Sequence, residues 1–186
     1  MSSDALALLE VASLARGVAV ADAVAKRAPV ELLFCEPVSP GKYLVVFAGG
    51  VAEVDEAQAA GAQAAGEALV DRVFLPQVHE QVVPAIRAGS RGYPHEAAED
   101  TAGLVELHSV AAALRCADAA CKAAEVRLQL LHLARGIGGK AWFIVRGALE
   151  SVDAAVLAAA EAAGDGLLAG AEVIARPHRS LRGIAL

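Results

Sequence analysis

The chain has 186 residues, of which 56% are hydrophobic and only 4% aromatic, and its formal net charge is −6. An acidic chain without a cluster of lysines and arginines is not expected to bind nucleic acid or an anionic membrane surface. The longest apolar stretch, 152–175, contains Asp153, Glu161 and Asp165 among its acidic residues, so it is not expected to span a membrane. We therefore expect a soluble cytoplasmic protein that buries much of its apolar surface in an oligomer.

The hydrophobic pattern predicts the element order β-α-β-β-α-β-α in each half of the chain. In the first helix, Val18, Ala21, Ala25 and Ala28 form the expected buried stripe. The stretch EPVSPGK (36–42) separates two apolar strands, and its prolines and glycine predict a long loop. The predicted elements are 5–13, 14–28, 30–35, 43–49, 51–69, 70–76 and 80–89, and their counterparts include 103–109, 126–133, 141–147, 149–164, 170–177 and 179–183.

The two halves repeat one another. Glu10 recurs as Glu106 at an offset of 96 residues, Lys42 recurs as Lys140 at an offset of 98, and His79 recurs as His178 at an offset of 99. A register held with only small shifts indicates a duplicated and fused domain. We expect a first domain at 1–90, a linker at 91–100 and a second domain at 101–186. Each is predicted to be an α+β domain, a variant of the ferredoxin-like pattern, with helices packed on a mostly antiparallel sheet.

No metal or disulfide chemistry is expected from the cysteines and histidines. Cys35, Cys116 and Cys121 are an odd number, and the last two lie five residues apart in a predicted helix, so both are expected to be small buried hydrophobes. The five histidines form no H-x-x-x-H pair. The sequence predicts no metal site, no cofactor and no local catalytic motif, so an enzyme is not expected.

Four motifs carry a resemblance to a known family. ALLEVAS, VADAVAKRAPVEL, PGKYLVVFAG and VIARPH stand in the order found in the bacterial microcompartment shell domain. Two fused copies resemble the tandem-domain shell proteins of that family, and within them the propanediol-type trimeric shell proteins. The resemblance implies a homotrimer that forms a pseudohexagonal tile, packs laterally against hexameric and pentameric shell proteins, and lies in the shell of a cytoplasmic microcompartment.

The same resemblance gives the two loops a role. In the family, the loop between the second and third strands lines a pore on the symmetry axis, through which small metabolites pass. This implies that the tile sets six loops around one axis, two from each chain. The implied pore-lining residues are Val38, Ser39, Pro40 and Gly41 from the first copy and Arg135, Gly136, Ile137 and Gly138 from the second.

One residue departs from the propanediol-type pattern. Those relatives carry a cysteine at the apex of the first loop, and three such cysteines hold an iron–sulfur cluster on the axis. Here the apex residue is Ser39, and a hydroxyl is a poor ligand for such a cluster. We therefore expect an open polar pore without a cluster.

The resemblance also assigns residues to the tile edge. Lys26 and Lys122 end equivalent helices and match the edge lysine of the family, whose aliphatic stem packs against a neighbouring tile. A solvated helix end is the alternative interpretation. Arg176 matches the family's edge arginine, with His178 beside it, whereas the first copy has His79 but replaces the arginine with Gln77.

Two further hypotheses stay open at this stage. A redox conduit would carry electrons through an iron–sulfur cluster at the pore, and a cytosolic ferredoxin-like regulator would bind a small molecule without tiling. For the pore itself, Lys42, Arg135 and Lys140 outnumber Glu36, which favours a basic rim that attracts anionic metabolites.

Overall fold

The computed structural model describes residues 4–89, 92 and 101–181. Most of the expected linker at 91–100 and the end of the short helix expected at 179–183 lie outside this part of the chain. None of the described helices has the length and hydropathy needed to cross a bilayer. The elements are β1 (Ala5–Val11), α1 (Leu14–Arg27), β2 (Glu31–Val38), β3 (Lys42–Gly49), α2 (Val51–Ala65), β4 (Leu69–Pro76), α3 (Val82–Ala88), β5 (Thr101–Leu107), α4 (Val110–Ala123), β6 (Arg127–Leu133), β7 (Ala141–Gly147), α5 (Leu149–Ala162) and β8 (Leu168–Ala175), with 3₁₀ turns at Gly66–Ala68 and Arg179–Leu181.

The chain divides into two compact units. The first comprises Met1–Val83 together with Ala134–Gly139, and the second comprises Pro84–Leu133 and Lys140–Leu186. The loop after β6 is therefore grouped with the first unit, although its sequence belongs to the second copy.

Each unit contains one four-stranded sheet, and the two sheets have the same topology. The strand order is β2-β3-β1-β4 in the first and β6-β7-β5-β8 in the second. Every pairing is antiparallel, and both edge strands β2 and β6 shift register at equivalent places, near Leu33 and Gln129. The predicted α+β fold with an antiparallel sheet in each copy is confirmed.

The first core lies between one face of the sheet and two helices. Alternate residues of β1 pack against Val20 and Val24 of α1 and against Val54 and Ala57 of α2. Strand periodicity sends these residues to one face, because successive side chains of a strand alternate. The β1 residues on this face are Ala5, Ala7, Leu9 and Val11.

The buried stripe of α1 differs from the one expected. The buried residues are Gly17, Val20, Ala21 and Val24, whereas Val18 is 54% exposed. Both sets have helical spacing, so periodicity alone does not choose between them. The observed stripe contains a glycine where α1 meets β3, because a Cβ at Gly17 would overlap the side chain of Tyr43.

Both first helices begin in the same way. The Ser13 hydroxyl accepts a hydrogen bond from the backbone N–H of Arg16, and the Ser109 hydroxyl accepts one from Ala112. A serine N-cap satisfies one of the backbone donors that the first helical turn leaves free, and is worth about 1 kcal/mol. The duplicated serines therefore have the same structural role.

The first predicted loop is shorter than its sequence suggested. Glu36, Pro37 and Val38 continue β2, and Lys42 already belongs to β3, so only residues 39–41 form the turn. Pro37 is tolerated because β2 is an edge strand, where a missing backbone donor costs little. The turn closes through the Gly41 N–H, which donates to the Val38 carbonyl at 3.0 Å, and Gly41 has a φ of 95°.

Candidate functional site

The turn of the first copy presents three small residues to solvent. Ser39, Pro40 and Gly41 are exposed, and the Ser39–Pro40 peptide bond is cis. Val38, which the sequence grouped with them, is only 6% exposed and packs below the turn. The surface that this turn offers is therefore a hydroxyl, a pyrrolidine ring and backbone groups.

The loop of the second copy lies beside that turn. A Cβ built on Gly139 would come within 3.0 Å of the Pro40 side chain and 3.1 Å of the Ser39 carbonyl oxygen. Gly139 has a φ of 84°, and Gly136 and Gly138 are also left-handed, so glycine suits this path of the backbone. Gly136 and Gly138 are exposed together with Arg135, while Ile137 is half-buried.

Arg135 attaches this loop to strand β2. Its Nη2 lies 2.5 Å from Oε2 of Glu36, and its guanidinium lies over the ring of Phe34, 4.8 Å from the ring centroid. An ion pair and a cation–π contact on one side chain restrict its rotamers more than either would alone. The structure thus brings the two predicted loops together through residues that are 99 positions apart in sequence.

Two lysines at the start of β3 and just before β7 form equivalent ion pairs. Lys42 Nζ lies 2.8 Å from Oε2 of Glu10, and Lys140 Nζ lies 3.2 Å from Oε1 of Glu106. The Glu10 side chain is fully buried, whereas Glu106 is 42% exposed. Sequence reasoning aligned the two glutamates as repeat partners but did not connect them to the loops. Both glutamates and both lysines recur in the repeat, and this shared recurrence was the sequence signal that could have indicated the two ion pairs.

The residues around the first turn do not fit an iron–sulfur cluster. Ser39 supplies a hydroxyl at the exposed position, where a cluster needs a thiolate. Cys35 lies four residues back along β2, about 13 Å at the rise of an extended strand. Its side chain packs against the core of the first unit, and burial raises the pKa of its thiol. Within residues 4–89, 92 and 101–181, no three histidine, cysteine or acidic side chains are grouped as metal ligands would be.

The other two cysteines are buried, as expected. Burial raises the pKa of Cys116 to about 11 and that of Cys121 to about 12. Such thiols stay protonated at neutral pH and are poor nucleophiles.

The two predicted edge lysines are held in the same way. Lys26 Nζ lies 2.7 Å from Asp22, and Lys122 Nζ lies 2.7 Å from Asp118, each one helical turn earlier. Both lysines occupy the last turn of their helices, where a cation is favoured by the helix dipole. The two ammonium groups therefore occupy equivalent positions in the repeat.

The other predicted edge residues also recur as pairs. Gln77 and Arg176, one residue beyond β4 and β8, both have left-handed backbone, with φ of 57° and 52°. In each copy the histidine two residues later accepts a hydrogen bond through Nδ1: His79 from the Gln81 N–H and His178 from the Ser180 N–H. The turn geometry is therefore kept even though the first copy lacks the arginine.

The fold and these paired features define a protein made of two copies of one α+β shell-type domain. The family model of the BMC domain matches the chain twice, at residues 5–78 and 101–177. The chain therefore belongs to the BMC domain family, and it is a shell protein of a bacterial microcompartment.

The chain is similar to several known shell proteins, over its whole length or over one copy of the domain. The bacterial microcompartment shell protein PduT of Citrobacter freundii is 42% identical over 180 residues, which is 96% of each chain. The carboxysome shell protein CsoS1A of Hydrogenovibrio crunogenus is 44% identical over 82 residues, covering 42% of this chain and 82% of its own length, as expected for one copy of the domain. A crystal structure of a microcompartment protein from Desulfitobacterium hafniense has a TM-score of 0.88 and 38% identity, with 97% and 98% of the two chains covered.

Proposed function

We propose that the chain forms a homotrimeric, pseudohexagonal tile whose central axis is surrounded by six turns and serves as a pore for small metabolites. The tile packs laterally against hexameric and pentameric shell proteins and performs no catalysis. The observation that carries this proposal is a difference in burial between equivalent surfaces of the two copies.

The outer face of the first helix is exposed in one copy and buried in the other. Leu14 and Val18 of α1 are 55% and 54% exposed, whereas their counterparts Val110 and Leu114 of α4 are 0% exposed. A leucine and a valine one helical turn apart form an apolar surface whose burial would be favourable. In a single chain, the face of α1 is therefore available for a partner.

The sheets show the opposite difference. Leu8 and Leu44, on the sheet face away from the helices in the first unit, are 0% exposed. Their counterparts in the second unit are Leu104 and Trp142, which remain only half-buried. They belong to an apolar patch that we call the β5–β7 patch: Leu104, Leu130, Trp142 and Ile174 around Ala102 and Ile144.

These two exposed surfaces support a head-to-tail contact. The α1 face of one chain would pack on the β5–β7 patch of the next, so that both of these exposed surfaces become covered. A heterologous contact of this kind closes into a ring when its rotation divides a full turn. Three two-domain chains give six domains, the number that a hexagonal tile requires.

The test is solution mass by light scattering. Wild type is expected at about 57 kDa, three times the 18.9 kDa chain. Leu14→Asp/Val18→Asp and Trp142→Asp are each expected to give monomers, because each removes one side of the contact. Leu157→Asp is the control, since Leu157 is 61% exposed on α5, outside both surfaces.

Mixing the two deficient variants sharpens the test. Each retains the surface that the other lacks, so together they should form one intact contact and a heterodimer of about 38 kDa, twice the chain mass. A mixture that stays monomeric, or a wild type that is itself monomeric, contradicts the ring. Negative-stain images of concentrated wild type should show hexagonally packed sheets.

A further inference from the structure

The charged side chains of the two loop regions are all paired with opposite charges. Residues 36–42 and 133–140 contain four ionisable side chains, those of Glu36, Lys42, Arg135 and Lys140. Glu36 and Arg135 pair with each other, Lys42 pairs with Glu10, and Lys140 pairs with Glu106. Three cations thus meet three anions, so the local net charge is zero.

The two carboxylates that complete this balance come from outside the loops. Glu10 and Glu106 lie near the ends of β1 and β5, opposite Leu44 and Trp142 in the sheets. Each draws its lysine back toward the sheet rather than leaving the ammonium at the turn. The basic rim favoured by the loop sequences alone is therefore offset by residues of the neighbouring strand.

The tips of the two loops are themselves uncharged. Residues 39–41 and 136–139 contribute one hydroxyl, one pyrrolidine ring, one isoleucine and backbone groups at glycines. Such groups can exchange hydrogen bonds with a polar solute. They do not compensate an ion for the water it must shed in a narrow passage, because a desolvated charge needs an opposite charge or several aligned dipoles.

We infer that the pore passes small uncharged polar solutes in preference to anions or cations of the same size. This inference rests on the proposed tile and pore. The Glu36–Arg135 pair is the central element, because its two charges lie 2.5 Å apart at the turns and both side chains are about half-exposed. Removing either one leaves its partner's charge, three times around the axis.

The experiment measures flux across sheets of the protein deposited on a perforated support. The probes are glycerol, lactate and ethanolamine, which are similar in size and are neutral, anionic and cationic at pH 7. At low ionic strength, wild type is expected to pass glycerol several-fold faster than either ion. Ser39→Trp should reduce all three fluxes, because its indole fills the axis.

A double-variant cycle tests the role of the pair. Arg135→Gln leaves the negative charge of Glu36, which occurs three times around the axis of the proposed trimer. These three carboxylates attract cations and repel anions, so the ratio of ethanolamine to lactate flux should rise about tenfold. Glu36→Gln should shift the ratio about tenfold the other way. Glu36→Gln/Arg135→Gln should restore the wild-type ratio, and the single-variant shifts should fade near 1 M salt, where the Debye length is about 3 Å. Glu56→Gln is the control, since Glu56 pairs with Arg27 on the helices of the first unit.

The outcomes separate this inference from the proposed function. If lactate crosses wild type as fast as glycerol while Ser39→Trp blocks both, the pore stands and the inference is wrong. If the double variant keeps the selectivity of a single variant, the pair does not set the charge of the passage. If Ser39→Trp leaves the fluxes unchanged, solutes do not pass the turns, and the proposed pore fails together with the inference.

Discussion

Gly17 of α1 lies directly against the ring of Tyr43 on β3, so close that a Cβ at Gly17 would overlap the Tyr43 side chain. The second copy has Ala113 and Ala141 at the two equivalent positions, exchanging a glycine–tyrosine pair for two alanines. Tyr43 also donates a hydrogen bond from its hydroxyl to the Cys35 carbonyl at 2.9 Å. The large ring thus fills the space above the glycine and anchors β2, the strand that leads to the first turn.

Gly17→Ala is expected to destabilise the protein by about 1–2 kcal/mol. The cost of overpacking exceeds the roughly 1 kcal/mol that alanine gains over glycine in a helix. Urea denaturation at fixed protein concentration measures the change. In a Tyr43→Ala background, the same substitution should become neutral or stabilising, because the ring is gone. An equal loss in both backgrounds would show that the ring is not the cause.

Lys42→Met is expected to lower the free energy of unfolding by about 2–4 kcal/mol, because it removes the cation beside the fully buried Glu10 carboxylate. The matched control is Lys140→Met. Lys140 and Glu106 are 40% and 42% exposed, and solvent screening should keep that loss below about 1 kcal/mol. Parallel urea titrations of the two variants give the comparison. Equal losses would mean that burial does not distinguish the two pairs.

Cys116→Ala/Cys121→Ala is expected to change how stability depends on alkaline pH. Both thiols have pKa values raised by burial, to about 11 and about 12, against 9.0 for an ordinary thiol. Native structure therefore favours the protonated form, and this contribution is complete below pH 9. It is lost as pH rises through the native values, by on the order of 1 kcal/mol per pH unit for each thiol.

Urea titrations between pH 8 and pH 11 check this expectation. The difference in unfolding free energy between wild type and the double variant should shrink steadily above pH 9. A difference that is constant across this range would show that the two thiols do not contribute through their ionisation.

Ser39→Cys is expected to create a set of thiolate ligands for an iron–sulfur cluster, which the wild-type turn lacks. Three exposed thiols around the axis of a trimer would offer thiolate ligands, and anaerobic reconstitution with iron and sulfide should give visible absorbance. Wild type treated in the same way should remain colourless after desalting. Cys35→Ser/Ser39→Cys should behave like the single variant, since Cys35 packs against the core. Colour in wild type that Cys35→Ser abolishes would assign the ligand to Cys35 instead.

Lys26→Ala is expected to leave the trimer intact but to reduce the formation of sheets severalfold. The Lys26 ammonium, which lies 2.7 Å from Asp22, is the group we propose at the tile edge, along with Lys122, Arg176, His79 and His178. Arg27→Ala is the control, because Arg27 neighbours Lys26 and is likewise exposed, yet pairs with Glu56 of α2. Light scattering reports the trimer and sedimentation of sheets reports tiling. Equal sheet yields from both variants would remove Lys26 from the edge contact.

The duplication and the element order could be predicted from the sequence alone. The repeat is read directly by aligning the two halves of the sequence, and alanine-rich helices depend on interactions within a few residues. Ser39 could be identified from the sequence as a poor cluster ligand, because the resemblance to the propanediol-type shell proteins marks its position and a hydroxyl does not replace a thiolate. The bounds of strand β7 and the first residue of α1 likewise follow from the local sequence pattern, and both lie where they were expected.

Tertiary structure decided which residues of these elements meet. The buried stripe of α1 contains Gly17, Val20 and Val24, rather than the residues expected, because packing against Tyr43, which is far away in sequence, selects one of two equally periodic faces. The first turn has only three residues, fewer than expected, because β2 is an edge strand in which a proline costs no hydrogen bond. The loops are balanced in charge, rather than basic, because Glu10 and Glu106 of the neighbouring strands pair with their lysines. Long-range contacts of this kind have no local sequence signature, since they depend on strand order and packing distance.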